Sequence, residues 1–128
     1  MSRKQDEITK PTYHRVLPID RAEVEAAFAS GDSRRICDAL VSAAFYDSDW
    51  LWVQDKCLHF VDSSFPDARR LSIVCFGHLA RIHGKLEMNK VLPVLEKLRD
   101  DAELGEDVAE TFEDIEFFIN DKKCRARK

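Results

Sequence analysis

The residues best able to ligate a metal or move a proton in this chain are four histidines and four cysteines, and their spacing argues against both uses. His78 and His83 stand five apart, which on a helix separates them by about 140° around the axis. A zinc-binding helical pair takes i,i+4 spacing, as in His-Glu-x-x-His, and neither histidine is followed by Glu. Cys75 and His78 share a helix face at i,i+3, but no second pair has matching spacing. Neither His14 nor His59 has a nucleophile or carboxylate at a telling distance. There is no Gly-rich phosphate loop and no Gly-x-Ser-x-Gly elbow. Cys37, Cys57, Cys75 and Cys124 form no Cys-x-x-Cys pair. Three of them fall on apolar helical faces, where a thiol behaves as a small hydrophobe, and free buried thiols fit a reducing compartment. The expectation is therefore no metal, no cofactor and no catalytic residue; a small helical enzyme using His78 or His83 ranks third among the alternatives.

Charge carries more information. The net charge is −4. From Asp100 to Asp121 there are ten carboxylates and no Lys or Arg, and the last seven residues then hold five basic side chains. A nucleic-acid binder needs basic residues gathered on a folded face, whereas an acidic folded end repels phosphate and attracts cationic proteins. Direct binding of DNA or RNA is not expected. No apolar run approaches the ~20 residues that cross a bilayer. The first eleven residues lack the apolar core of a secretory signal, so the expected location is the cytoplasm.

These side chains must be positioned by helices, because every apolar pattern has the helical period and none alternates long enough for a strand. The first helix opens at Asp20, a capping residue with Glu23 three positions on, and Gly31 is its left-handed stop. The second follows Asp32 or Ser33, with Ile36, Cys37, Leu40, Val41, Ala44 and Phe45 inward. The third follows Asp47-Ser48-Asp49 and gathers Trp50, Val53, Cys57, Phe60 and Val61 on one side, leaving Trp52 and His59 on the other. Trp52 is expected to be covered by the first helix or the N-terminal lead. The fourth starts at Pro66, ends at Gly84, and is apolar nearly all round, Ile82 included. Only Arg70, Gly77 and Arg81 form a polar strip, so this helix should be central. The fifth opens near Asn89, with Pro93 in its first turns. The sixth spans about Glu106 to Asn120, with Val108, Phe112, Ile115 and Ile119 as its inward seam. Glu106, Glu110, Glu113 and Asp114 fall opposite that seam with Phe117 among them. The expected organisation is a flexible lead over 1–19, one all-α domain of about six helices over 20–121, and a basic, disordered tail over 122–128.

The segment Phe65-Pro66-Asp67-Ala68-Arg69-Arg70, running into Cys75-Phe76-Gly77-His78-Leu79-Ala80 and then Val91-Leu92-Pro93-Val94-Leu95, resembles a HEAT repeat. That resemblance covers about Asp47 to Asn120. It implies stacked antiparallel helix pairs, arranged as a short solenoid or a compact bundle. The stretch Cys75 to Gly84, with Val91-Leu92-Pro93 and Asp114-Ile115-Glu116-Phe117-Phe118, also resembles small bacterial immunity proteins of polymorphic toxin systems, including contact-dependent growth inhibition. This resemblance implies an antitoxin that occludes a toxin domain, often a cationic nuclease encoded by an adjacent gene. The candidate partner-binding residues are Glu106, Asp107, Glu110, Glu113, Asp114 and Phe117, with Asp100, Asp101 and Glu103 at the rim. Ten like charges in 22 residues repel one another, and an aromatic ringed by polar groups has the anatomy of a binding hot spot. A solvated acidic face is the alternative, with Trp52 and the Arg70–Arg81 strip as other candidate surfaces. A HEAT-like structural or adaptor protein with a non-toxin partner is the second functional reading.

Overall fold

The first four helices begin where a side chain or a proline can deal with unpaired first amides. The structure is a computed structural model that describes residues 17–120, so the tail, Cys124 and His14 lie outside the described residues. Within them are α1 (Arg21–Phe28), α2 (Ser33–Tyr46), α3 (Trp50–Phe60), α4 (Pro66–His83), α5 (Met88–Leu98) and α6 (Gly105–Ile115), followed by a π-helical turn, Glu116–Asn120. No strand occurs among the described residues. The fold is all-α. Asp20, Asp32 and Asp49 cap α1, α2 and α3 by accepting backbone N–H bonds. Pro66 opens α4, where its missing N–H costs nothing. Gly31 and Gly84 take φ of 75° and 65° after α1 and α4, the left-handed conformation that a side chain resists.

α4 is the axis of the molecule. Ala68, Ile73, Cys75, Phe76, Leu79 and Ala80 are all fully buried along it. The most extensive interhelical packing is α4 against α6 and against α2. The Cys75 thiol reaches Leu40 O at 3.7 Å, and the Phe45 and His78 rings meet at 4.7 Å farther along both helices. α2 and α4 therefore run the same way. α6 does too, since Arg70 meets Asp107 near one end and Arg81 meets Asp114 near the other. α3 runs against α4, with Arg69 Nε donating to Val61 O at 3.1 Å. α1 runs against α2, its Arg21 held by Asp47 at 2.9 Å.

Trp52 is covered as expected, with Phe28 of α1 at 6.2 Å and the Arg21 guanidinium 3.9 Å above its ring. Ile82 departs from expectation. It is 45% exposed, in the last turn of α4. Gln54, on α3, is fully buried. Its amide donates to Glu87 Oε1 at 2.8 Å and accepts from Glu87 N at 2.7 Å, fixing the start of α5 with both halves of one side chain satisfied. That hydrogen bond and one from Lys90 hold the Glu87 carboxyl below its ordinary range. The thiols are core groups. A hydrogen bond to Cys75 and burial hold Cys57 well above the usual thiol range, and burial raises Cys37 to about 11.

Leu79, wholly enclosed on the central helix, tests this arrangement. Leu79→Ala is expected to cost about 2–5 kcal/mol in chemical denaturation, and a loss below about 1 kcal/mol would show that α4 is not surrounded.

Candidate functional site

The acidic face is built by the way α6 docks on α4. The strip Arg70, Gly77 and Arg81 recurs at seven and four residues, so it stays on one side of α4. Asp107 and Asp114 recur at seven on α6 and meet that strip. Arg70 Nε lies 3.3 Å from Asp107, and Arg81 lies 4.0 Å from Asp114. Between them Thr111 donates its hydroxyl to Ile73 O at 3.0 Å, a bond that takes up a carbonyl on a buried helix. Gly77 is what lets the two helices approach. A Cβ placed there would stand 2.6 Å from the Asp114 carboxylate.

Asp114 thus does not lie opposite the seam, as its helical angle alone implied. Its carboxylate sits against α4, where partial burial raises its pKa, Arg81 lowers it, and Glu113 raises it. Asp107 is likewise turned toward α4. Asp101 serves the backbone. It accepts from Glu103 N and Leu104 N at 2.8 and 3.0 Å, bonds that lower its pKa and shape the turn into α6. Asp100, Glu103, Glu106, Glu110 and Glu113 are exposed. Phe117 is 52% exposed, its ring edge-on to Phe118 at 4.7 Å, and Phe118 packs on the core. The expected seam holds at Val108, Ile115 and Ile119, while Phe112 is only half-buried, with the Arg99 guanidinium 4.7 Å above its ring. Nine candidate residues therefore divide: three carboxylates (Asp101, Asp107 and Asp114) are engaged within the fold, and five carboxylates with Phe117 face outward.

A brace that sequence reasoning missed crosses the top of this layer. His78 is buried beside Phe45, and its Nδ1 accepts from the Arg81 guanidinium at 2.7 Å. Burial, and then the Arg81 charge, push the His78 pKa down to about 4. The imidazole is neutral at pH 7 and orients the arginine that faces Asp114. The only sequence signal was the i,i+3 spacing of His78 and Arg81 on a helix that had to be buried. Groups of histidine, cysteine or carboxylate able to hold a metal do not occur among the described residues.

No protein-family model matches the chain, and no curated protein matches it. Among solved structures, one chain from the crystal structure of a CDI complex from Cupriavidus taiwanensis is 30% identical, with a TM-score of 0.71, covering 80% of this chain and 90% of that one. The chain belongs to the family of that CDI-complex component. The shared fold spans most of both chains.

Two outcomes test the geometry. Gly77→Leu is expected to destabilise by about 1–3 kcal/mol, because its side chain must displace Asp114 and pry α6 from α4; unchanged stability would refute the close approach. For His78, the folded pKa of about 4 lies below the ordinary 6.5. Its neutral burial therefore stabilises fully above pH 6.5 and loses that contribution as pH falls toward 4, by about 3 kcal/mol at most. Urea midpoints measured between pH 7.5 and 4.5 should fall less steeply in His78→Gln than in the parent, and parallel slopes would show that His78 titrates normally.

Proposed function

We propose that this protein is a bacterial immunity protein that neutralises a toxin domain by stoichiometric occlusion in the cytoplasm. The observation that carries the proposal is the family tie to a component of a CDI complex, an assembly whose members bind one another. The acidic face supports the blocking role over the toxic one. Glu106, Glu110 and Glu113 project from a helix fixed to the core and Asp100 and Glu103 from the turn before it, matching a cationic nuclease cleft in charge. Occlusion requires a rigid complementary surface and no catalytic side chain. Complementary charge also steers encounter and discourages wrong partners.

The experiment is co-expression with the toxin domain encoded by the adjacent gene. A one-to-one complex that suppresses toxicity is the expected result, and toxicity unaffected by this protein would overturn the proposal. Within such a complex, Glu110→Lys with Glu113→Lys should slow association by roughly tenfold at low salt, with the deficit shrinking as ionic strength rises. Both residues are exposed, so the fold should keep its thermal midpoint. Association as fast as the parent's would reduce the acidic face to a solvated surface.

A further inference from the structure

The carboxylates of α6 are one edge of a larger surface. α2, α4 and α6 run the same way, so the ends of α2 and α4 and the π-helical turn that continues α6 lie toward one side of the molecule, and a helix C-terminus such as that of α2 carries the partial negative charge of unpaired carbonyls. Neither α2 nor α6 has a basic residue in its last turn. Glu113 and Asp114 stand in the last turn of α6, ahead of the π-helical turn, and Asp47 stands at the end of α2, where its negative charge adds to the unfavourable pole. Arg21 answers Asp47 and Arg81 answers Asp114 at 4.0 Å; Glu110, Glu113 and Glu116 have no basic side chain within ion-pair distance among the described residues.

At the same ends stand three large apolar side chains turned to solvent: Tyr46 closing α2, Ile82 in the last turn of α4, and Phe117 just past α6, exposed by 51%, 45% and 52%. They sit on helices or a helical turn, and the structure beneath them is braced. Tyr46 packs edge-on against Phe45 at 6.1 Å, Phe45 meets His78 at 4.7 Å, Arg81 donates to His78 at 2.7 Å and reaches Asp114 at 4.0 Å. Unbroken side-chain contact thus links the end of α2 to the end of α6 across α4. Apolar anchors held rigidly and ringed by charge are the arrangement that concentrates binding energy.

We propose that the toxin-binding surface runs from the acidic face of α6 across the end of α4 to the end of α2, with Tyr46, Ile82 and Phe117 as its apolar anchors and a basic protein domain as its occupant. It rests on the immunity function proposed above. Charge selects the occupant. A second copy of this chain docked through the same face would set carboxylate against carboxylate and negative helix ends against negative helix ends, whereas a lysine- or arginine-rich surface neutralises both.

The test uses the complex with the toxin domain of the adjacent gene, its kinetics followed by surface plasmon resonance. Tyr46→Ala and Ile82→Ala should each speed dissociation roughly tenfold or more, with little dependence on salt, while Arg34→Ala at the opposite end of α2 should leave it unchanged. Thermal midpoints are measured alongside. Hydrogen exchange on the parent complex supplies a readout that needs no variant: the amides of residues 45–47, 80–83 and 113–118 should gain protection on binding. If Tyr46→Ala and Ile82→Ala dissociate like the parent, or those amides gain no protection, the extended surface is overturned while toxin binding through α6 stands. Parent protein that fails to bind the toxin domain at all overturns both.

Discussion

The meeting of Arg70 and Arg81 with Asp107 and Asp114 decides which face of the last helix the molecule hides. α4 is apolar nearly all round, so its one polar strip must meet a surface of opposite charge or water. Gly77, between the two arginines, brings α6 close enough for that match. The ion pairs are not the main source of stability. Both involve partly exposed side chains, and such pairs contribute about 0–1 kcal/mol each. Burial of Val108, Ile115 and Ile119 supplies far more, at about 1.5–3 kcal/mol per enclosed aliphatic side chain. What the ion pairs supply is rotational register. With Asp107 and Asp114 turned inward, Glu106, Glu110 and Glu113 have no direction left but outward.

That division sets which carboxylates the acidic face presents to solvent. Three of its eight carboxylates, Asp101, Asp107 and Asp114, are engaged inside the fold, while Glu106, Glu110 and Glu113 are gathered on a single helical face beside Phe117. The scaffold beneath is stiff for identifiable reasons. The Gln54 amide fastens α3 to α5 through two hydrogen bonds, and neutral His78 holds the guanidinium that faces Asp114. A surface on such a base loses little conformational entropy when a partner arrives.

The helices were legible in sequence because their signals are local. Asp20, Asp32 and Asp49 announce three starts, Pro66 a fourth, and Gly31 and Gly84 two ends; each acts within one turn of its own position. Centrality of α4 was legible too, since an apolar circumference has no exposed solution. The limits came from contacts between elements. A helical angle put Asp114 opposite the seam of its own helix, but only the position of Gly77 on another helix reveals where that carboxylate rests. Gln54 read as an ordinary polar residue because its partner, Glu87, is 33 positions away. Ile82 read as core because helical periodicity does not say where a neighbour stops. The likeness to HEAT repeats anticipated helix packed on helix, although no family model matches a repeat. The likeness to growth-inhibition immunity proteins and the neighbour from a CDI complex point the same way.

The contact between Gly77 and Asp114 also divides the sequence by its freedom to drift. A side chain at 77 collides with the neighbouring helix, so that position is closed to piecemeal change, and a change at 107 or 114 removes an ion pair that sets the register of α6. Glu106, Glu110 and Glu113, on the outward side of the same helix, make no side-chain ion pair among the described residues that would resist replacement. Under the proposed immunity function, a lineage facing an altered adversary could rewrite that outward face residue by residue while its architecture stays fixed, and two descendants could lose all affinity for each other's targets yet remain superimposable.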